Sequence, residues 1–565
     1  MLLFWVWIIV CGGVCVIDRP CRSIWQIAAT LAAFHLLVAL FLLPAGDVAA
    51  ALLRAALVTA AIAAASAMKY HHSGMKLTVS DFALLRAGTL RFLLQQYRRT
   101  AFAALALTTL VAILMLAPVA FDAATVVSQP ISLALRCGFL ITTAVVCAVI
   151  YRTGDRATYF RSSISEPAHY VSSFVASMFD VQSWWRTDGL VFVDIAADGL
   201  TLSAPVPGPD SVRDPRQPDI IVIQHESVFD PRLFGLPIEP WLERFLAPPD
   251  AMHGRLHVEI FGGGSWQTEF SLLTGLASRS FGADAYFLFQ RGVGRFGHSL
   301  PSVLKALGYR TMLAAGCERT FVNYDAFYQS IGVDARSFTE DFAQPFNRTR
   351  FDETNSDAMF LAAAYRALDD SIARDPAPRF MMLLTNYNHG PHDRRTVPQG
   401  QFESERTFAF ASVPDAQYAE YYSRLADTAA CWQRLKAELA TRFPDRPMLV
   451  VRYGDHQPVM TRRIEAALGL PADASRQFET FYAIEGINMD VAPVPALYPD
   501  RALEIAFLGT VAMQAAGLPL DAISATRASL LDECGDDYFS STSERKRQFH
   551  RTLVDRGIVD CAPRR

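Results

Sequence analysis

The nine cysteines of this 565-residue chain form no C-x-x-C pair, so a zinc ribbon is not expected. Charge is scarce too. Asp, Glu, Lys and Arg make up only 19% of the residues and the formal net charge is -4, which removes the global basicity expected of a nucleic-acid binder. No internal repeat and no low-complexity tract is present. No basic stretch precedes the first apolar run, which begins at Met1 and is soon followed by a second, so it reads as a membrane span and not as a cleaved signal peptide.

What the chain has instead is apolar surface: 51% of its residues are hydrophobic, too many for an ordinary soluble protein of this length. Apolar runs cover 2–17, 24–43, 48–68, 101–121 and 133–151. Crossing a bilayer takes about 20 apolar residues, so the first run is slightly short and the others fit. Five spans with a cytoplasmic N-terminus export everything after Tyr151. That places the loop 69–100, with Lys69, Lys76, Arg86, Arg91, Arg98 and Arg99, outside, against the positive-inside rule. Either 81–97 lies along the interface as an amphipathic helix, or the span count differs.

Three regions follow: a transmembrane domain at 1–151, an interfacial connector at 152–217 and a catalytic α/β domain with a helical tail at 218–565. In the connector, Phe174, Phe179, Trp184 and Trp185 suit an interface, and Pro205-Val206-Pro207-Gly208-Pro209 reads as a linker. Beyond it, a short apolar, β-branched run at 219–224 and similar short, largely apolar runs at 309–314, 379–384 and 447–452 alternate with helical patterns at 300–307, 357–373 and 416–440. Strands alternating with helices predict a mostly parallel sheet. Cys534 and Cys561 bracket the tail and could pair in an oxidising compartment.

In such sheets ligands bind beyond the carboxyl ends of the strands. The first run is followed by His225-Glu226-Ser227, the third by Asn386-Tyr387-Asn388-His389-Gly390-Pro391-His392, and the fourth by Gly454-Asp455-His456-Gln457-Pro458. Between them stands Phe261-Gly262-Gly263-Gly264-Ser265, which delivers a hydroxyl to the start of a helix. The bland reading of that serine is a helix cap; the functional one is a nucleophile at an anion-binding helix end. Glu, Asp and His together suit one divalent ion, Mn2+ or Zn2+.

The order of an E-S element, a G-G-G-S-x-x-x-E-F loop, an H-G-P element and a G-D-H-x-P element resembles the lipoteichoic acid synthase and phosphoglycerol transferase group of the alkaline phosphatase and sulfatase superfamily. Lys76-Leu77-Thr78-Val79-Ser80-Asp81-Phe82 and the five apolar runs resemble that group as well. The resemblance implies an N-terminal multi-span α-helical membrane domain followed by a sulfatase-like α/β domain. It implies metal ligation by Glu226, Ser265, Asp455 and His456, with Ser265 as nucleophile and His389 at the phosphate. Further substrate contacts are expected at His392, Arg319 and Trp266. The implied reaction takes a head group from a phospholipid donor in the bilayer to a glycan or lipid-linked acceptor through a phosphoserine. The implied place is the bacterial inner membrane, with the catalytic domain on its periplasmic or outer face.

Cys317, Val322 and Tyr324 replace the acidic, tryptophan and arginine residues expected around a glycerol phosphate, which leaves phosphoethanolamine as an alternative cargo. A sulfatase would carry C/S-x-P-x-R, whereas Ser265 is followed by Trp266-Gln267-Thr268-Glu269. A non-catalytic scaffold is the remaining rival, and none of the proposed ligand or nucleophile positions has become inert.

Overall fold

In the computed structural model, residues 2–18, 24–73, 76–79, 81, 102, 106, 109, 131–153, 169–179, 189–190, 192–208, 217–342, 356–471, 473, 475–494 and 501–562 are described. The chain divides into two units, Met1–Thr187 and Asp188–Arg565.

The apolar runs of the first unit fold into α1 (Leu2–Asp18), α2 (Ile24–Ala45), α3 (Val48–Ser73) and α4 (Leu133–Thr153), followed by the short α5 (Tyr170–Phe179). Helix is the form that satisfies every backbone group internally, as a lipid environment demands. Among the described residues, the segments Ile24–Ala45, Val48–Tyr70 and Leu133–Ile150 are long and apolar enough to cross a bilayer, and they make this unit an α-helical membrane domain. The first run forms a helix of 17 residues, below that length. The expected span at 101–121 and the interfacial helix at 81–97 fall almost wholly outside the described residues, and Trp184 and Trp185 do so entirely. Polar side chains join the helices. Asp18, fully buried, accepts from Thr30 Oγ1 of α2 at 2.8 Å and from the amides of Val171 and Ser172 at 2.6 and 3.2 Å, capping α5.

The second unit is built on an eight-stranded sheet in the order β4-β3-β5-β1-β6-β7-β2-β8. Its strands are β1 (Asp219–His225), β2 (Met252–His257), β3 (Arg310–Ala315), β4 (Ala335–Ser337), β5 (Arg379–Leu384), β6 (Met448–Gly454), β7 (Glu479–Ile487) and β8 (Leu503–Glu504). β4, β3, β5, β1 and β6 run parallel, and β7 lies antiparallel to both β6 and β2. The sheet is covered on both faces, which is why its central strands read as continuous apolar runs. Side chains still alternate. Ile220 and Val222 of β1 enter one core with Phe270, Leu304 and Phe507, while Ile221 and Ile223 enter the other with Phe360, Tyr421 and Trp432.

The first face carries α6 (Trp266–Thr274) and the second the long α7 (Ala416–Arg442). Part of the stretch expected as connector packs on this unit: the amides of Leu200 and Ser203 donate to Thr552 and Thr526, and Val206 bridges Leu520. The pairing of Cys534 with Cys561 is not formed, since both thiols are free. Cys534 Sγ turns back on the Leu530 carbonyl of its own helix at 3.5 Å.

Candidate active site

Because β1, β3, β5 and β6 run parallel, their carboxyl ends share one edge of the sheet, and β1 lies between β5 and β6. His225 at the end of β1 pairs in register with Gly454 at the end of β6. The residues after these two positions, Glu226 on one side and Asp455-His456 on the other, therefore meet. Each offers a ligand atom within 4.8 Å of the other two, and all three residues are buried.

The orientation of the three groups is set locally. Asp455 Oδ1 accepts from the amides of Ser227 at 2.7 Å and His456 at 2.9 Å, while its Oδ2 is buried without a hydrogen-bond partner. His456 Nδ1 lies 3.0 Å from the Gln457 carbonyl, which fixes the proton on that nitrogen. Its Nε2, also buried without a hydrogen-bond partner, is left facing Glu226 Oε1 at 3.5 Å and Asp455 Oδ2 at 3.6 Å. Burial pushes the Glu226 carboxyl well up, and the nearby Asp455 carboxylate adds to the shift. Two carboxylates and an imidazole lone pair converging in a dry site have no counter-charge of their own. The donor set fits a divalent cation.

Gly262, Gly263 and Gly264 have φ of 76°, 148° and 92°, a left-handed run that side chains would resist. This backbone turns the chain into α6, and Ser265 stands at its N-cap with φ -43° and ψ -34° and no side-chain cap bond. The hydroxyl is therefore not consumed by capping. Two bonds tie the serine's loop and helix to the ligand loop: Gly262 N donates to Gln457 O at 2.9 Å, and Thr268 Oγ1 to Asp455 O at 3.0 Å.

His389 is half-buried, and its Nδ1 lies 2.5 Å from the Gly390 carbonyl. Burial lowers its pKa, opposed by that backbone bond; His456 lowers it further and the Asp455 carboxylate opposes. Its ring is thus neutral at pH 7 and within electrostatic range of the cluster. The loop that carries it is clamped by Arg424, whose guanidinium donates to the carbonyls of His389, Pro391 and Arg394 at 3.1, 3.4 and 3.0 Å.

The other expected contacts are engaged with the protein itself. His392 is buried, with Nε2 2.9 Å from the Asn388 carbonyl and its ring edge-on to Tyr421. Trp266 is buried and donates Nε1–H to the Tyr286 carbonyl at 2.9 Å. Arg319 pairs with Asp325 at 3.0 Å and Asp341 at 2.6 Å, over the Phe338 ring.

Sequence reasoning passed over Arg424, and it treated Glu269 only as a motif letter. Glu269 is fully buried and accepts from Gln224 Nε2 at 3.2 Å, Tyr324 OH at 2.8 Å and Tyr328 OH at 2.6 Å. Burial pushes its carboxyl up to about 7 against the pull of these three bonds. The available signal was its spacing, one helical turn after Ser265 and so on the same helix face.

A parallel-centred sheet thus gathers two carboxylates and an imidazole at its strand ends, beside a serine at a helix entrance. Residues 218–479 match the family model described as Sulfatase. Over 253 residues the chain is 28% identical to the capsular polysaccharide biosynthesis protein RkpI of Rhizobium meliloti, covering 44% of this chain and 43% of that protein. The chain spans about half the length of the curated relatives it matches. Phosphoglycerol transferase GacH of Streptococcus pyogenes, solved with sn-glycerol-1-phosphate, is similar in structure with a TM-score of 0.46 at 15% identity, over 61% of this chain and 86% of that one. The integral membrane lipooligosaccharide phosphoethanolamine transferase EptA of Neisseria meningitidis is similar with a TM-score of 0.49 at 11% identity, over 92% and 95%.

Proposed function

We propose that this protein is a membrane-anchored transferase that moves a phosphoglycerol-type head group from a phospholipid to a cell-envelope glycan through a phosphoserine on Ser265. The observation that carries the reading is the uncapped Ser265 hydroxyl, held by Gly262 and Thr268 against the loop of Asp455 and His456. The glycan acceptor is supported by the name of the capsular polysaccharide relative. The membrane helices support a donor drawn from the bilayer, where shared confinement raises the effective concentration. In this reading 1–151 anchors the chain in the inner membrane, 152–217 connects, and 218–565 works on the outer or periplasmic side.

Glu226, Asp455 and His456, with the Ser265 hydroxyl, would hold one Mn2+ or Zn2+ ion, which supplies a lowered hydroxyl pKa and a counter-charge for the transferring phosphoryl group. Ser265 Oγ attacks phosphorus, the Oγ–P bond forms and the bond from phosphorus to the diacylglycerol oxygen breaks. The serine proton passes through neutral His389 to that leaving oxygen. An acceptor hydroxyl then attacks the phosphoserine, and its proton returns to Ser265. Trp266 and His392 shape the walls around these groups. Arg319 reaches a phosphate only by exchanging Asp325 or Asp341 for it.

Phosphoethanolamine is the second reading of the cargo, favoured by the segment after β3. There the Cys317 side chain is buried and the Tyr324 hydroxyl is spent on Glu269, so neither reproduces the polar contacts expected for glycerol. Mass spectrometry of the full-length protein trapped after exposure to phospholipid tests both. A phosphoglycerol adduct on Ser265 is expected; a phosphoethanolamine adduct reassigns the cargo. Full transfer by Ser265→Ala would remove the serine from the mechanism.

A further inference from the structure

We infer that Glu269 is a positioning residue, which fixes the placement of Ser265 relative to Glu226 and Asp455 by anchoring α6 to β1 and β6 at once. The inference rests on the reading of Ser265 as nucleophile.

The geometry is specific. Gln224 and Tyr453 are partners in register across β1 and β6. Gln224 stands two residues before Glu226 at the end of β1, and Tyr453 two residues before Asp455 at the end of β6. Tyr453 OH donates to Gln224 Oε1 at 2.5 Å, and Gln224 Nε2 donates to Glu269 Oε1 at 3.2 Å. Glu269 in turn stands four residues after Ser265. One buried chain of hydrogen bonds therefore runs from both ligand-bearing strands into the first turn of the serine's helix. Tyr324 and Tyr328 hold the carboxylate from the side of the segment after β3. All members of the network are buried, so no water replaces a lost partner without opening the core.

A carboxylate is well chosen for this place. In its ionised form it accepts several bonds in different directions, so each donor aimed at it finds an acceptor. Without it, Tyr324 and Tyr328 keep unpaired buried hydroxyls, and α6 retains Thr268 as its remaining side-chain tie to the Asp455 loop. Thr268 bonds only the Asp455 carbonyl, and the helix's bonds from Trp266 to the Tyr286 carbonyl and from Ser271 to Glu259 reach neither ligand-bearing strand.

The test uses the full-length protein in detergent micelles with labelled phosphatidylglycerol. It reads the rate of Ser265 adduct formation, the donor KM, bound metal per chain and the melting temperature. Glu269→Ala is expected to lower the adduct rate roughly 100-fold, the scale of a misplacement of about 1 Å, while KM and bound metal stay at wild-type values. Glu269→Gln, which keeps the shape and an acceptor oxygen, is expected to recover most of that rate. The pair Tyr324→Phe with Tyr328→Phe is expected to slow the adduct step with the same unchanged KM, and serves if the alanine variant fails to fold. A wild-type adduct rate in Glu269→Ala overturns the inference. Loss of metal and melting temperature together with rate, unrescued by Glu269→Gln, overturns it too by reducing the residue to a fold element. Ser265→Ala separates the two levels: if that variant still transfers, the nucleophile reading itself has failed. An inactive Ser265→Ala beside a wild-type Glu269→Ala sinks only the positioning role.

Discussion

Replacing Arg424 by methionine would test how the His389 loop is held. The Arg424 and Glu420 side chains are only 1% and 2% exposed and meet at 2.8 Å. Arg424→Met keeps the side-chain length and removes the charge. It orphans the carbonyls of His389, Pro391 and Arg394, which lie in a loop with no strand to re-pair them. Glu420 is partly compensated, because Thr396 N and Oγ1 still donate to it at 2.8 and 2.9 Å and Arg406 remains bonded. Removing one partner of a buried ion pair costs about 3–5 kcal/mol, and each abandoned buried acceptor about 1–3 kcal/mol. The compensation at Glu420 and water reaching the loop keep the total at about 3–5 kcal/mol. A fall in melting temperature of at least about 5 °C is expected for the full-length protein in detergent. Transfer should fall as well, because His389 loses its backbone anchor. Arg424→Lys reaches at most part of the carbonyl set and should lie between. A melting temperature within about 1 °C of wild type, with unchanged transfer, would refute the clamp.

Two further outcomes are expected. In Gly454→Ala the new Cβ would stand 1.9 Å from the Val228 carbonyl oxygen, so β6 or the chain after β1 must shift. A cost of roughly 1–3 kcal/mol is expected, with lowered bound metal read by elemental analysis; wild-type metal content would contradict the strand-end placement of Asp455. Acid should also loosen the H-G-P loop through two groups. Burial, and secondarily Arg424, pushes the His392 imidazole down to about 3 from 6.5, so the unfolded chain takes up that proton first and stability drains as pH falls from 6.5 toward 3. Burial pushes the Glu420 carboxyl up, but Arg424, Thr396 and Arg406 outweigh it and hold the group at about 2, so its contribution is lost as pH falls from 4.5 toward 2. His392→Gln should flatten the upper part of that acid limb in melting curves, and superimposable limbs would count against the assignment.

Much of the second unit's architecture could be read from the residues. β5 was expected at 379–384 and forms at Arg379–Leu384, because a strand buried on both faces writes itself as an unbroken apolar run. β2, with the sequence MHGRLH, has no such run and was not expected; it is recruited only by pairing with β7. The grouping of Glu226, Asp455 and His456 was accessible from the strand-end rule alone. Arg424 was not, since it lies in the middle of a 27-residue helix and nothing in the spacing says which loop it will meet. Trp266 and Arg319 were read for the chemistry they could offer to a substrate. Their present partners are a carbonyl 20 residues on for Trp266 and, for Arg319, carboxylates 6 and 22 residues on, which no local pattern announces.

All nine residues of α6 are buried. A surface helix has a solvent face on which substitutions accumulate without consequence, and this one has none. Under the proposed function, variation in the transferred group would therefore enter through the loops after β3 and β5. In a library selected for a new head group, changes should gather around 316–324 and 386–392 and leave 266–274 untouched. The helix acts as a fixed datum around which the neighbouring loops are free to change.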